Sequence, residues 1–274
     1  MSNLSNIGFN FQTPEDFFSG LDKMIPMVKV IKCAKGEYLE YAETTGVAWY
    51  MQFNKRKKFI GFNPHFNGFS KRNICVTNEI NKGFSVLDGT LHAWADPAEK
   101  GNPNSGQHPF VFDVPDLQQY MPLSFPLDCQ IQLSAFPIEE IGVFDTDEDF
   151  YNSQTTKFKF GTKSFVPSGL FALQTTTETD DEQVPDGPRP TGMFSGVVKE
   201  MATLTNQFSG ASFYWMLVET VGGDIDVVSD FDHVQNTPKV GSIIWGDFWL
   251  TGRLLNVPPV EHKKGFFNKL FSSN

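Results

Sequence analysis

Asp224 and Asp226 stand two residues apart in the run GGDIDVV, which alternates like a β-strand. That spacing sends both carboxylates to one face. Two acids on one face can do acid–base work or hold a cation. The plain alternative is the solvent face of a barrel strand. Further on, SIIWGDFWLTGRLL carries Trp245, Asp247, Trp249 and Arg253. On a continuous strand, even spacing lines up two indoles, a carboxylate and a guanidinium. Such a row can stack a flat ligand or a peptide and pair with it bidentately. A turn or bulge at Gly246 and Asp247 would break that register. If the row points inward, the tryptophans are core and Arg253 pairs with an aspartate such as Asp226. These six residues form the candidate ligand or partner surface.

Motifs for catalysis are missing. The five histidines, His65, His92, His108, His233 and His262, form no HxH, HExxH or HxxxH spacing. VPSGL around Ser168 is not a nucleophile elbow. Gly222-Gly223 leads from one strand into another, so no helix N-terminus waits for a phosphate, and a hairpin turn is the better account. Asp145, Asp147, Glu148 and Asp149 lack the alternating ligands and central glycine of a calcium loop. No catalytic residue, metal or cofactor is assigned.

Elements must position those residues. Thr13-Pro14-Glu15-Asp16 reads as a capped helix start, and the helix runs to about Met24, before Pro26. From Met27 the pattern turns strand-like: VKVIKC, EYLEYAE, GVAWYMQFN and KFIGFN, with Lys55–Lys58 as a solvated hairpin tip. ICVTNEI, FSVLDGTLHAWAD, PFVFDVPD and CQIQLSAFP follow. FDTDEDFYNSQ reads as a short helix near 146–154, capped by Thr146 or Asp145. FKFGTKSFVPSGLFAL reads as a pair of short strands. An acidic, proline-rich loop spans 174–192. The last strands are MFSGVVKEMATLTN, SFYWMLVETV, DIDVVSD, SIIWGDF and FWLTGRLL. The fold class is therefore mainly β, with 28 phenylalanines favouring strands. The expected organisation is a tail and helix over 1–26, a first β domain over 27–150, a second β-barrel domain over 151–260, and a basic-aromatic tail over 261–274.

The net charge is −10. Residues 1–150 carry 12 basic and 19 acidic groups, a balance of −7, and the rest carries −3. Neither half has the surplus of a protein that neutralises phosphates, which argues against nucleic acid as partner. Cys33, Cys75 and Cys129 are sparse and odd in number, which suits buried thiols in a reducing compartment. No stretch reads as a signal peptide or a membrane span, so the cytoplasm is the expected location. In the tail, Phe266, Phe267, Leu270 and Phe271 recur at helical spacing among lysines. That segment suits weak contact with a membrane surface or a partner's groove.

The two halves echo each other. GFSVLDGTLHAWADP matches MFSGVVKEMATLTN, HPFVFDVPD matches SFYWMLVETVGGDIDVV, and PLDCQIQLSAFPIEEIGVF matches PKVGSIIWGDFWLTGRLL. At Gly196, Gly222-Gly223, Gly241, Gly246 and Gly252 the second half resembles the OB-fold pattern. The resemblance implies two small OB-like barrels and no particular activity. GGDIDVV with GSIIWGDFWLTGR also resembles an uncharacterised bacterial protein family, which brings no function with it. The leading expectation is a non-catalytic binding or protein-interaction protein, with an unknown protein or small ligand as partner. A single-stranded nucleic-acid binder is the first alternative, since OB barrels stack bases on aromatics. A metal-dependent hydrolase using Asp224 and Asp226 is the second.

Overall fold

The structure is a computed structural model that describes residues 4–80, 85–171 and 187–260. Helix α1 (Pro14–Met24) begins where the sequence places it. The Thr13 hydroxyl accepts the Asp16 N–H at 3.1 Å. Strands β1 (Lys29–Cys33), β2 (Gly36–Ala42), β3 (Val47–Asn54) and β4 (Phe59–Phe66) form an antiparallel meander in chain order. Then come β5 (Arg72–Ile80), β6 (Thr90–Ala95), β7 (Pro109–Asp113), β8 (Leu127–Pro137) and β9 (Gly142–Phe144). Helix α2 (Asp147–Ser153) follows, its first turn capped by Thr146. Last are β10 (Ser164–Val166), β11 (Thr191–Thr205), β12 (Ser212–Thr220), β13 (Gly223–Ser229) and β14 (Ile243–Leu254). The chain is mainly β, as expected.

Strands β5 to β14 belong to one sheet that closes on itself twice. One ring runs β5–β6–β7–β14–β8 and back to β5. The other runs β11–β12–β13–β8–β14 and back to β11. Each ring has five strands, and β8 and β14 belong to both. β8 and β14 are long enough to serve two barrels in succession. Ile243 to Trp249 of β14 pair with β11, and Leu250 to Leu254 pair with β8. Strands from either side of residue 150 therefore pair within one sheet.

The pairings repeat. β5–β6–β7 is an antiparallel meander whose last strand lies parallel to β14, at Asp113 and Thr251. β11–β12–β13 is another, whose last strand lies parallel to β8, at Asp226 and Ser134. Ser134 and Thr251 face each other across the antiparallel β8–β14 pair. Asp113 and Asp226 thus occupy equivalent places in the two halves. The sequence echo matched β8 with β14 correctly. It matched GFSVLDGTLHAWADP, which holds β6, with β11, whereas the pairings equate β5 with β11. A glycine followed by apolar alternation suits any bent barrel strand, so the pattern did not fix the strand count. The described residues Ser85 to Gly89 of that stretch are not strand, and Thr90–Ala95 is.

Strand parity separates inside from outside. Ile244, Phe248, Leu250 and Leu254 of β14 join Ile225, Val227, Ile131, Leu133, Phe110 and Phe112 in the barrel core. A second core holds the meander to the rest. Val47, Trp49 and Met51 of β3 pack there with Phe213, Trp215 and Leu217 of β12 and with Phe136 of β8. Phe9, Phe11, Phe17 and Phe62 surround Trp49 at ring separations of 5.2–5.9 Å. A large apolar side chain buried this fully contributes roughly 1.5–3 kcal/mol. The other face of β3 presents Ala48, Tyr50 and Gln52, all without exposure. A strand buried on both faces reads as a continuous apolar-aromatic run, as VAWYM does.

Candidate functional site

Along β14 the row predicted from the sequence keeps its register. Trp245, Asp247, Trp249 and Arg253 alternate with the core residues and point away from the barrel. Much of the row is covered by other parts of the chain. Trp249 is half-buried, packs tilted against Phe136 at a ring separation of 5.1 Å, and donates its indole N–H to Asp113 Oδ2 at 2.9 Å. Trp245 lies beside Phe160, and its indole nitrogen is buried without a partner. Asp247 is exposed; burial of its carboxyl, helped by Glu139, still raises its pKa. Thr251 is fully buried. Arg253 is half-buried and donates from Nη1 to Asn67 Oδ1 at 2.9 Å. It does not pair with Asp226, as an inward row would require, because the guanidinium turns toward the meander.

Asp224 and Asp226 share the outer face of β13, but they are used separately. Asp224 pairs with Lys199 at 2.9 Å on the surface. Asp226 is fully buried and its oxygens are saturated. Oδ1 accepts from Phe69 N and Trp215 Nε1, both at 2.9 Å. Oδ2 accepts from Ser70 N and Gln132 Nε2, both at 2.8 Å. Gly68 makes this possible, since a Cβ there would lie 2.1 Å from the Asp226 carboxyl carbon. The carboxylate pins the loop after β4 onto both barrels. Its equivalent, Asp113, accepts from Trp249 and from Thr90.

One arrangement looks catalytic on paper. His65 contacts Thr251 Oγ1 at 3.2 Å through Nδ1 and Gln132 Oε1 at 2.8 Å through Nε2. A base working near neutrality needs a pKa near the operating pH. Burial, reinforced by Arg253, pushes His65 down to about 3. Each member of the trio is buried. It is a structural network that ties the meander to β8 and β14.

The arrangement with open chemistry lies where meander, loop and barrel meet. Glu40 (β2) and Tyr50 (β3) come from the meander, Asp116 and Tyr120 from the segment after β7, and Arg253 from β14. The Tyr50 hydroxyl donates to Glu40 Oε1 at 2.9 Å, and Lys29 lies 3.6 Å from Glu40 Oε2. Asp116 is 1% exposed, and only one of its oxygens has a partner, Gln119 Nε2. Its Oδ1 is buried and unpaired, and so is Arg253 Nε. The five groups act on each other electrostatically. Burial pushes Asp116 up to about 6; Arg253 opposes the rise and Glu40 adds to it. Burial alone would depress the Arg253 guanidinium. The surrounding Tyr50, Asp116, Tyr120 and Glu40 hold it above its ordinary value instead. Burial also raises Tyr50 and Tyr120.

Asp116, Tyr120, Glu40 and Tyr50 were missed from the sequence. Asp116 stands in VPDLQQY, which reads as a turn. Its burial depends on contacts with the meander, more than sixty residues away along the chain. No group of three or more His, Cys, Asp or Glu side chains among the described residues is placed to hold a metal ion. No described helix is long and apolar enough to cross a membrane. The tail residues Phe266, Phe267, Leu270 and Phe271, and most of the acidic loop expected over 174–192, lie outside the described residues.

These groups set an acid response. His65 and His108 are depressed by burial, to about 3 and about 4, with Arg253 and Arg72 respectively adding to the effect. The unfolded chain takes up their protons first, so their stability contribution falls as pH drops below about 6.5. Asp116 works the other way. Its folded pKa lies above the unfolded one, so its contribution is fullest at low pH and falls as pH rises from about 4 to about 6. Two histidines opposed by one carboxyl leave a net slope of about 1.4 kcal/mol per pH unit from these three groups. Asp116→Asn removes the opposition. Urea unfolding between pH 4.5 and 6 is expected to show about twice that loss per unit in the variant, and equal slopes would refute the assignment.

No protein-family model, curated protein or solved structure matches this chain.

Proposed function

We propose that the protein is a non-catalytic binding protein whose ligand is a small neutral polar molecule, held between Asp116 and Arg253. The observation that carries this reading is the unpaired donor and acceptor, Arg253 Nε and Asp116 Oδ1, within one mutually interacting cluster. Leaving a buried charged group's polar atom unsatisfied costs about 1–3 kcal/mol or more. A ligand hydroxyl or carboxamide can donate to the carboxylate and accept from the guanidinium, which relieves both. A neutral ligand fits because Arg253 offsets Asp116 and Lys29 offsets Glu40, which leaves the cluster without net charge. The Glu40–Tyr50 pair adds a polar wall. Three free cysteines, two of them buried, accord with a cytoplasmic setting.

The saturated Asp226 and the surface pair Asp224–Lys199 give the hydrolytic alternative no shared carboxylate site. The coverage of Trp245 and Trp249 likewise favours a small ligand over a stacked nucleic acid.

The test uses glucose, myo-inositol and N-acetylglucosamine as probes, each presenting neutral donors and acceptors. At least one is expected to give saturation transfer from the wild-type protein and to raise its melting temperature. Arg253→Met and Asp116→Asn are each expected to weaken that binding about tenfold, the effect of one lost charge-assisted hydrogen bond. Absence of transfer from all three probes, or binding untouched by both substitutions, would overturn the proposal.

A further inference from the structure

Lys55, Arg56, Lys57 and Lys58 stand together at the tip of the β3–β4 hairpin, and all four are exposed. Their turn is tightly held. Asn54 Oδ1 accepts the Arg56 N–H at 2.9 Å and the Lys58 N–H at 3.1 Å. The Asn54 N–H donates to Lys58 O, and the Lys57 N–H to Asn54 O. These four residues lie past the last β3–β4 pair, Phe53 with Phe59, so they guard no open sheet edge.

Register brings a second turn to the same end of the meander. Gly36 pairs with Cys33 on one side and with Asn54 on the other. The β1–β2 turn therefore lies beside the hairpin tip, and Lys32 and Lys35 are exposed there. Neighbouring strands are about 4.8 Å apart, so the four strand ends span about 15 Å. Residues 32–37 and 54–58 hold six cations against one acid, Glu37, a balance of +5 in a chain of −10. Glu37 pairs with Lys57. The other five cations have no carboxylate within ion-pair distance among the described residues. Asp88 of the neighbouring loop is half-buried and accepts from the Gln52 amide. Crowded like charges repel each other and cost stability, so a solvated turn has no need of so many.

The surroundings choose among anionic partners. Phe53 and Phe59, the rings flanking the tip, are half-buried and pack edge-on against each other, which leaves no platform for stacked bases. An apolar side chain does stand nearby. Val86 is 57% exposed, on a segment fixed by the Ser85 hydroxyl donating to Gln52 Oε1 at 2.8 Å. The next residue, Leu87, would lie 3.2 Å from a Cβ on Gly36. The remainder of the chain carries −15, since the whole is −10. A flat anionic surface can meet both turns at once, while screening over roughly 8–10 Å weakens its repulsion of that acidic remainder.

We infer that this end of the meander docks on an anionic lipid surface, with the two basic turns against the headgroups and Val86 at the interface. The patch shares no residue with the Asp116–Arg253 cluster and stands or falls independently of it.

Co-flotation of the full chain with vesicles tests this. Phosphatidylcholine vesicles with about one-third phosphatidylserine should carry the protein at about 50 mM salt, and pure phosphatidylcholine should not. About 500 mM salt should release it. Each cation near such a surface changes the partition about fivefold. Lys55→Gln, Arg56→Gln and Lys58→Gln combined should therefore weaken binding about a hundredfold, and Lys35→Gln alone about fivefold. These side chains are exposed, so the melting temperature should stay unchanged. Lys263→Gln, Lys264→Gln and Lys269→Gln combined are the control for the C-terminal tail and should leave binding in place. No flotation with the anionic vesicles, equal flotation with both kinds, or undiminished binding by the hairpin variant overturns the inference. So does a loss confined to the tail variant, or a preference for a single-stranded oligonucleotide over the anionic vesicles.

Discussion

Asp226→Ala is expected to destabilise the protein by about 4 kcal/mol, the size associated with breaking a buried charged network. The substitution strands four donors at once: two backbone N–H groups, the Trp215 indole and the Gln132 amide. Each hydrogen bond to a charged group is worth roughly 1.5–3 kcal/mol, and partial relaxation of the 68–70 loop recovers some of the sum. For a chain of this length the melting temperature should fall by about 10 °C. Asp226→Asn keeps one acceptor oxygen and should cost about half as much. Urea denaturation followed by tryptophan fluorescence reads both. A loss below about 1 kcal/mol for the alanine variant would show that the carboxylate is not the joint between loop, β8 and β12.

The second large effect concerns Arg72, 1% exposed at the end of β5. Its Nε donates to Gly222 O at 2.8 Å and its Nη2 to Val221 O at 2.7 Å. The guanidinium lies 5.9 Å and 6.0 Å from the Phe110 and Phe165 rings. It is a buried cation with no carboxylate within ion-pair distance among the described residues, held by two carbonyls of a hairpin turn in the other ring. Burial depresses it to about 10, with Asp224 and Asp96 resisting. Arg72→Lys should cost about 4 kcal/mol, because a compact, strongly hydrated ammonium cannot span both carbonyls. Arg72→Met should cost only about 2 kcal/mol, because it removes the buried charge along with its bonds. The order of the two variants is the diagnostic result. A lysine variant as stable as wild type would mean that the fork geometry is irrelevant. Gly222 has φ of +83° and a Cβ there would lie 2.7 Å from both Arg72 Nη2 and His108 Cε1, so the turn is shaped around this contact.

Much of the fold was legible. Thr13-Pro14 announced α1, Thr146 announced α2, and the Gly222-Gly223 pair announced the β12–β13 hairpin, because capping and turn chemistry are local. Period-2 alternation placed Trp245, Asp247, Trp249 and Arg253 on one face. The double use of β8 and β14 was not legible. It depends on which partner each half of a long strand chooses, and alternation looks the same beside either one. The site was less legible still. Arg253 was singled out, but Asp116 and Tyr120 lie in a turn-like segment, and Glu40 and Tyr50 read as ordinary strand residues. Their proximity arises only when the meander closes over the first ring. Asp226 shows the converse: it looked like half of a carboxylate pair, and four donors that the local sequence does not reveal make it a structural joint.

The most direct test observes the Arg253 Nε–H itself. In a side-chain-selective nitrogen–proton correlation spectrum, assigned by its loss in Arg253→Lys, this resonance should shift when the saturating probe among glucose, myo-inositol and N-acetylglucosamine is added. The same addition to Asp116→Asn should move it far less. A resonance that stays in place while a probe binds would contradict the assignment of the Asp116–Arg253 cluster as the ligand site.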